Sequence, residues 1–191
     1  MSIVHAKFSL ADYHRMIDAG ILDHRKVELI EGEIVEMSPS GPPHIRAIMN
    51  LLEAFAGLVA AQHASLLCQS GLAIPDQDSC PEPDLALVTY GLGRSDNAIE
   101  ATQAFAVIEV ADSTLATDRR VKLPLYARAG IAEFWIVNLI DDCIEVYRAP
   151  DQTSGTYSEK RIVRRGESVC LLAFPDFEVA GSAILPRKEA P

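Results

Sequence analysis

Two carboxylates stand out because of what surrounds them. Glu109 lies inside Phe105-Ala106-Val107-Ile108-Glu109-Val110, an otherwise apolar run, where an ionised carboxylate without a partner costs several kcal/mol or takes up a proton. Asp84 lies in Pro81-Glu82-Pro83-Asp84-Leu85-Ala86-Leu87-Val88, where a proline-stiffened turn enters an apolar strand and holds the side chain at the strand end. Taken singly, each has an ordinary explanation. Glu109 can pair with an Arg or Lys of the following helix, and Asp84 can be a turn aspartate bonded to its own backbone. Taken together, at the ends of neighbouring strands, they can share one Mg²⁺ or Mn²⁺ ion, which takes oxygen ligands and keeps several waters. One of those waters can become a nucleophile, and an ion that also touches a phosphate polarises it and offsets charge in the transition state. A lysine near the attacking water would complete such a set.

The elements that must position these groups follow from periodicity. Residues 8–18 have helical spacing of Leu10, Tyr13, Met16 and Ile17, with Gly20 placed to end the helix. Strand-like runs at 27–30 and 33–37 flank Glu31-Gly32 as in a tight hairpin, and a Pro/Ser/Gly loop follows over 38–43. From 44 to 62, Ile45, Ile48, Met49, Leu51, Leu52, Phe55, Leu58 and Val59 predict a long helix entered through Pro42-Pro43. Short strands are expected over 66–74 and 85–90, joined by a turn-rich stretch, and a central strand over 104–111. A helix from about 119 to 129, ended by Gly130, leads to a strand at 134–137. A further hairpin over 143–148 and 160–163 and a last strand at 169–174 complete an α/β domain with a mixed sheet.

The bulk properties bound this picture. With 191 residues, 49% hydrophobic and 23% charged, and no low-complexity block, the natural reading is one domain over residues 1–191. A chain of this length buries about 70% of its unfolded surface, so it needs neither disulfides nor a structural metal, and any metal would serve catalysis. Cys68, Cys80, Cys143 and Cys170 show no C-x-x-C spacing and read as reduced core thiols. Residues 1–10 carry no apolar run, and no stretch approaches the ~20 apolar residues of a membrane span; the expectation is a soluble, cytoplasmic protein. The net charge of −10 argues against a protein that coats nucleic acid. Carboxylates of an active site account for part of it, and basic residues cluster locally at Arg119, Arg120, Lys122 and Arg128 and at Lys160, Arg161, Arg164 and Arg165. Trp135, Phe134 and Tyr126 sit in apolar surroundings, where core packing is the expected use rather than base stacking.

Several segments carry a resemblance. They are Pro83-Asp84, then Val107-Ile108-Glu109-Val110-Ala111-Asp112-Ser113-Thr114, then Asp118-Arg119 with Lys122-Leu123-Pro124-Leu125-Tyr126-Ala127-Arg128-Ala129-Gly130, and Phe134-Trp135-Ile136-Val137. The early Glu28-Leu29-Ile30-Glu31-Gly32-Glu33 and Met37-Ser38-Pro39 with His44, and the late Phe174-Pro175-Asp176-Phe177, fit the same pattern. Over nearly its whole length the chain resembles the Uma-type restriction endonucleases of the PD-(D/E)XK nuclease superfamily. That resemblance implies a restriction-endonuclease-like mixed sheet flanked by helices, with additional N- and C-terminal hairpins. It also implies a Mg²⁺- or Mn²⁺-dependent endonuclease acting on DNA, with Asp84 and Glu109 as metal ligands. The lysine expected two residues after the glutamate is replaced by Ala111; in the family, a lysine of the following helix takes its place, here Lys122. Its spacing from Asp118 equally permits a solvated i,i+4 pair, and Pro124 displaces the preceding turn, so ideal spacing does not fix where Lys122 points. Glu28 and His44 occupy places where the family keeps an acid and a histidine beside the metal.

Two other readings stay open at the level of sequence. One is a non-catalytic nucleic-acid-binding or regulatory protein on the nuclease fold, with Ala111 marking lost activity. The other, more distant, is a metal-dependent hydrolase of small phosphate esters. There is no dinucleotide fingerprint, P-loop or serine nucleophile elbow. Cutting both strands of a duplex would favour a two-fold homodimer.

Overall fold

In the computed structural model, which describes residues 5–92 and 99–187, Ser9 opens the first helix, α1 (Leu10–Asp18), through a reciprocal capping box with Asp12. The phenol of Tyr13 on this helix donates to the Val27 carbonyl at 3.0 Å, which ties α1 to the hairpin of β1 (Val27–Ile30) and β2 (Glu33–Glu36). The hairpin turns through Glu31 and Gly32, both at positive φ (47° and 80°), the pair of left-handed residues that a two-residue turn between twisted strands requires. Glu31 is held there by the Ser79 hydroxyl, which accepts its N–H at 2.7 Å.

The rest of the chain builds a six-stranded sheet. After α2 (Pro42–Ala60) come β3 (Ala64–Cys68), β4 (Leu72–Ala73), β5 (Leu85–Thr89), β6 (Ile99–Glu100) and β7 (Ala104–Ala111). A helical crossover follows, made of α3 (Leu115–Thr117), a π-helical turn (Asp118–Lys122) and α4 (Leu123–Arg128). Then come β8 (Glu133–Asn138), β9 (Cys143–Asp151), β10 (Thr156–Val163), β11 (Ser168–Leu171), β12 (Phe174–Ala180) and α5 (Gly181–Ile184). The sheet order is β10-β9-β8-β7-β5-β3. Its β7–β8 pair is parallel and the others antiparallel, which is why a crossover must separate β7 from β8.

Each face of the sheet is covered, so its central strands are apolar on both sides. On one face, Ala47, Ile48, Leu51 and Phe55 of α2 pack with Leu85, Leu87, Ile108 and Trp135, and the hairpin β11–β12 adds Val169, Leu171 and Val179. On the other, Leu125 and Tyr126 of α4 and Ile30 of β1 pack with Ala86, Val88, Val107 and Phe134. Trp135, Phe134 and Tyr126 are thus core side chains. The mixed sheet flanked by helices, with a hairpin near each end, is the architecture expected from the sequence.

Three expectations need correction. The strand expected over 66–74 is broken, because Gln69 takes a positive φ of 48° and Leu72–Ala73 leaves the sheet to pair with β6. The last strand expected at 169–174 is a hairpin, with Leu171 facing Phe174 across its turn. The crossover helix begins at Leu115 and contains the π turn. Of the four cysteines expected as core thiols, Cys80 and Cys143 are buried, whereas Cys68 is exposed and Cys170 only half-buried; all four are free thiols. Among the described residues no helix is long and apolar enough to cross a membrane; residues 1–4 of the N-terminal stretch considered above lie outside them.

Candidate active site

The antiparallel register brings the two acids together. Leu85 faces Ile108 and Ala86 faces Val107, so one residue further Asp84 stands opposite Glu109. Directly opposed residues of an antiparallel pair point to one face of the sheet, here the face under α4 that Ala86, Val88, Val107 and Ala111 share. The backbone cements the pairing, because the Val110 N–H donates to Asp84 Oδ2 at 2.8 Å and the Asp84 N–H to Glu109 Oε2 at 3.4 Å. Asp84 is therefore no turn aspartate capping its own loop, since its carboxylate is bonded to the neighbouring strand.

Lys122 reaches this pair because of the π turn. The Leu123 N–H donates to the Asp118 carbonyl, five residues back, and Pro124 then falls in the first turn of α4. The wider turn sends Lys122 inward, to 5% exposure. Its ammonium donates to Glu28 Oε2 and lies 3.5 Å from Glu109 Oε1. A solvated Asp118–Lys122 pair is excluded, because both residues are buried and Asp118 accepts instead from the Thr114 hydroxyl at 2.8 Å. One turn beyond, the Tyr126 phenol donates to Glu109 Oε1 at 2.7 Å.

Glu28 and His44 arrive from other layers. Glu28 shares the inward face of β1 with Ile30, is buried, and also accepts the Glu82 N–H at 3.1 Å. His44, in the first turn of α2, places Nε2 at 3.0 Å from Asp84 Oδ2, and its buried Nδ1 has no hydrogen-bond partner among the described residues. Gln69, which the sequence did not single out, donates from Nε2 to Asp84 Oδ1 at 3.2 Å; the positive φ that breaks the strand also aims this side chain. All five residues named from the sequence line one cleft of about 210 Å³, with Gln69, Thr114 and Asp118 beside them. A larger groove of about 430 Å³ lies between α2 and α5, but its acid, Glu53, is exposed.

Burial dominates the electrostatics. It pushes Glu109 up to about 8, against the pull of Lys122 and with help from Asp84 and Asp118. Asp118 rises to about 6, again through burial, which outweighs the Thr114 hydrogen bond and Lys122. Burial works against the charge of Lys122, but Glu109 and Glu28 outweigh it and hold the ammonium above the ordinary lysine value. A stability profile follows. Unfolded Glu109 loses its proton near 4.5 and the folded residue near 8, so between those values the native state binds more protons and stability falls as pH rises. Asp118 adds a fall in the same sense between 3.8 and about 6. Urea unfolding of the metal-free protein should thus give a lower midpoint at pH 8.5 than at pH 5.5, by several kcal/mol in stability; a flat profile would contradict the buried acid pair.

The donors suit a hard divalent cation. Asp84 and Glu109 offer carboxylate oxygens from adjacent strands, and Mg²⁺ is commonly held by only one or two carboxylates, with waters and substrate phosphate filling the rest. Among the described residues no three His, Cys, Asp or Glu side chains converge as a ligand set, and the space between Glu28 and Glu109 is taken by the Lys122 ammonium. The cleft already stabilises a positive charge beside these carboxylates.

Comparison with known proteins bears on the family and the fold. A family model described as "Uma2: Putative restriction endonuclease" matches residues 10–183. A solved structure from Anabaena variabilis ATCC 29413, titled a putative nuclease belonging to DUF820, superposes with a TM-score of 0.69 at 14% identity, covering 93% of this chain and 97% of that one. At that identity the likeness is one of fold. No curated protein matches the chain.

Proposed function

The chain belongs to the Uma2 family, and on that premise we propose that the cleft between β5 and β7 hydrolyses DNA phosphodiester bonds with Mg²⁺ or Mn²⁺ held by Asp84 and Glu109. The observation that carries this reading is the register that sets Asp84 opposite Glu109 on one buried face, with the Lys122 ammonium alongside. When bound, the ion supplies a Lewis acid for the phosphate and an acidified water.

The remaining chemistry belongs to the chain. Lys122 presents a fixed cation where negative charge builds on the phosphate, and needs little reorganisation to do so. Glu28 holds it there, and Glu109 shares it until an ion takes that place. His44 orients Asp84 through Nε2. Tyr126 fixes one oxygen of Glu109, so the other faces Asp84. A two-fold pair of subunits would allow both strands to be cut.

The test is incubation of purified protein with plasmid and linear DNA in Mg²⁺, Mn²⁺ or EDTA. Cleavage with either metal, and none in EDTA, is the expected result. Ala111, buried two residues after Glu109, favours one second reading, a nuclease fold that binds nucleic acid without cutting it. Binding of DNA with no cleavage in either metal would establish that alternative.

A further inference from the structure

We propose that Arg119 and Lys160 form a phosphate-docking pair for the nucleic-acid strand flanking the bond that is cut, organised from beneath by the buried carboxylate of Glu145. The proposal rests on the nuclease reading for its substrate class but on a different set of residues. Glu109 faces Ile136 on β8, and Ile136 faces Glu145 on β9. The two glutamates therefore lie in one row across the sheet, two strand spacings or about 10 Å apart. They share the face under the crossover, where Ile136 and Tyr147 also pack.

Glu145 is 1% exposed and gathers an unusual number of donors. It accepts from Arg119 Nε at 3.2 Å and from one Nη of the same guanidinium, from Lys160 Nζ at 2.8 Å, from the Tyr147 phenol, and from Asn138 Nδ2 at 2.9 Å. Lys160 also lies 5.0 Å above the Tyr147 ring. Both cations are anchored at one end and open at the other, with side-chain exposures of 41% for Arg119 and 44% for Lys160.

Glu145 does not by itself neutralise both cations, and although Asp141 lies nearby on the same Asn138 amide, Arg119 and Lys160 still turn N–H groups to solvent. A guanidinium fork with N–H groups left over is suited to phosphate oxygens. In a chain of net charge −10, nucleic acid must be met by cations held in fixed places. Two other basic residues of the local clusters are committed elsewhere, Arg128 to Glu31 and Arg165 to Asp142. Arg119 also sits three residues before Lys122 on the same π turn, so one turn points one cation into the cleft and the other over the Glu145 row. A strand whose scissile phosphate lies at Glu109 would pass this pair within a few nucleotides.

Lys160→Gln and Arg119→Gln, each leaving Glu145 one cationic partner, test the proposal. Binding of a fluorescein-labelled oligonucleotide duplex would be measured by anisotropy in EDTA across a salt series. Each variant should weaken binding about 3- to 10-fold at low salt and reduce the slope of log K against log salt by about 1, and Lys160→Arg should restore both. With Mg²⁺, the rise in KM should be several-fold larger for DNA than for bis(p-nitrophenyl) phosphate. Should Arg119→Gln fail to fold, Lys160→Gln decides alone, because Arg119 still pairs Glu145. Wild-type affinity and slope in Lys160→Gln would overturn the proposal and leave the cluster a structural clamp, as would a wild-type protein that binds no duplex. A wild type that binds, loses affinity in these variants, yet never cuts would uphold the docking pair and refute the nuclease reading.

Discussion

Lys122→Met should abolish metal-dependent cleavage, with kcat falling by at least about 10²- to 10³-fold, the scale on which removal of one preorganised charge-stabilising donor is felt. Methionine keeps the length and apolar stem of the side chain and deletes the charge alone. The structure adds a second consequence that spacing could not give. Lys122 is buried against Glu28 and Glu109, and removal of one partner from a buried ion pair costs about 3–5 kcal/mol. That loss should be largest at pH 8 and above, where Glu109 is otherwise ionised, and smaller at pH 5.5, where it holds its proton. Thermal melts at the two pH values, alongside cleavage kinetics, would check both. Adding Glu28→Gln to Lys122→Met should recover stability without recovering cleavage, which separates the structural role of the ammonium from its chemical one. A Lys122→Met protein that cuts at the wild-type rate would remove the lysine from the mechanism.

Asp84→Asn should be equally damaging to activity and far gentler on the fold. The amide oxygen can still accept the Val110 N–H that now ends on Asp84 Oδ2, so the β5–β7 junction survives. What disappears is the charge that draws a divalent ion, which supplies several kcal/mol of transition-state stabilisation, or about 10²- to 10⁴-fold in rate. His44→Ala removes a group that touches Asp84 through one nitrogen, and should cost about 10- to 100-fold, as loss of an orienting partner does. Circular dichroism and kcat measured on both variants would establish the order. If Asp84→Asn cut as well as the native protein while His44→Ala did not, the assignment of the acid would be wrong.

The acid pair was legible because a charge in an apolar strand advertises its own cost. Glu109 inside 105–110 and Asp84 at the head of 85–89 needed only the antiparallel register to meet. Glu145 carries the same signal, flanked by Ile144, Val146 and Tyr147, but nothing in its hairpin strand marks the partners that reach it from distant segments. Glu133 beside Phe134-Trp135 is a similar case, bonded in the core by Trp135 and Arg148. Lys122 could be named but not aimed, because it ends a π turn whose direction depends on the packing of α4. Gln69 left no trace in the sequence: its role depends on a left-handed backbone at a residue that usually avoids it. Glu28 depended on a hairpin folding over the sheet, a contact between residues far apart in the chain.

Crystals of the protein grown with Mn²⁺, and an anomalous difference map calculated from them, test the central claim most directly. The account predicts one strong peak about 2.1 Å from carboxylate oxygens of both Asp84 and Glu109, with the Lys122 ammonium displaced from Glu109 while it remains in the cleft. A map with no peak there, and Lys122 still seated between Glu28 and Glu109 at saturating Mn²⁺, would contradict it.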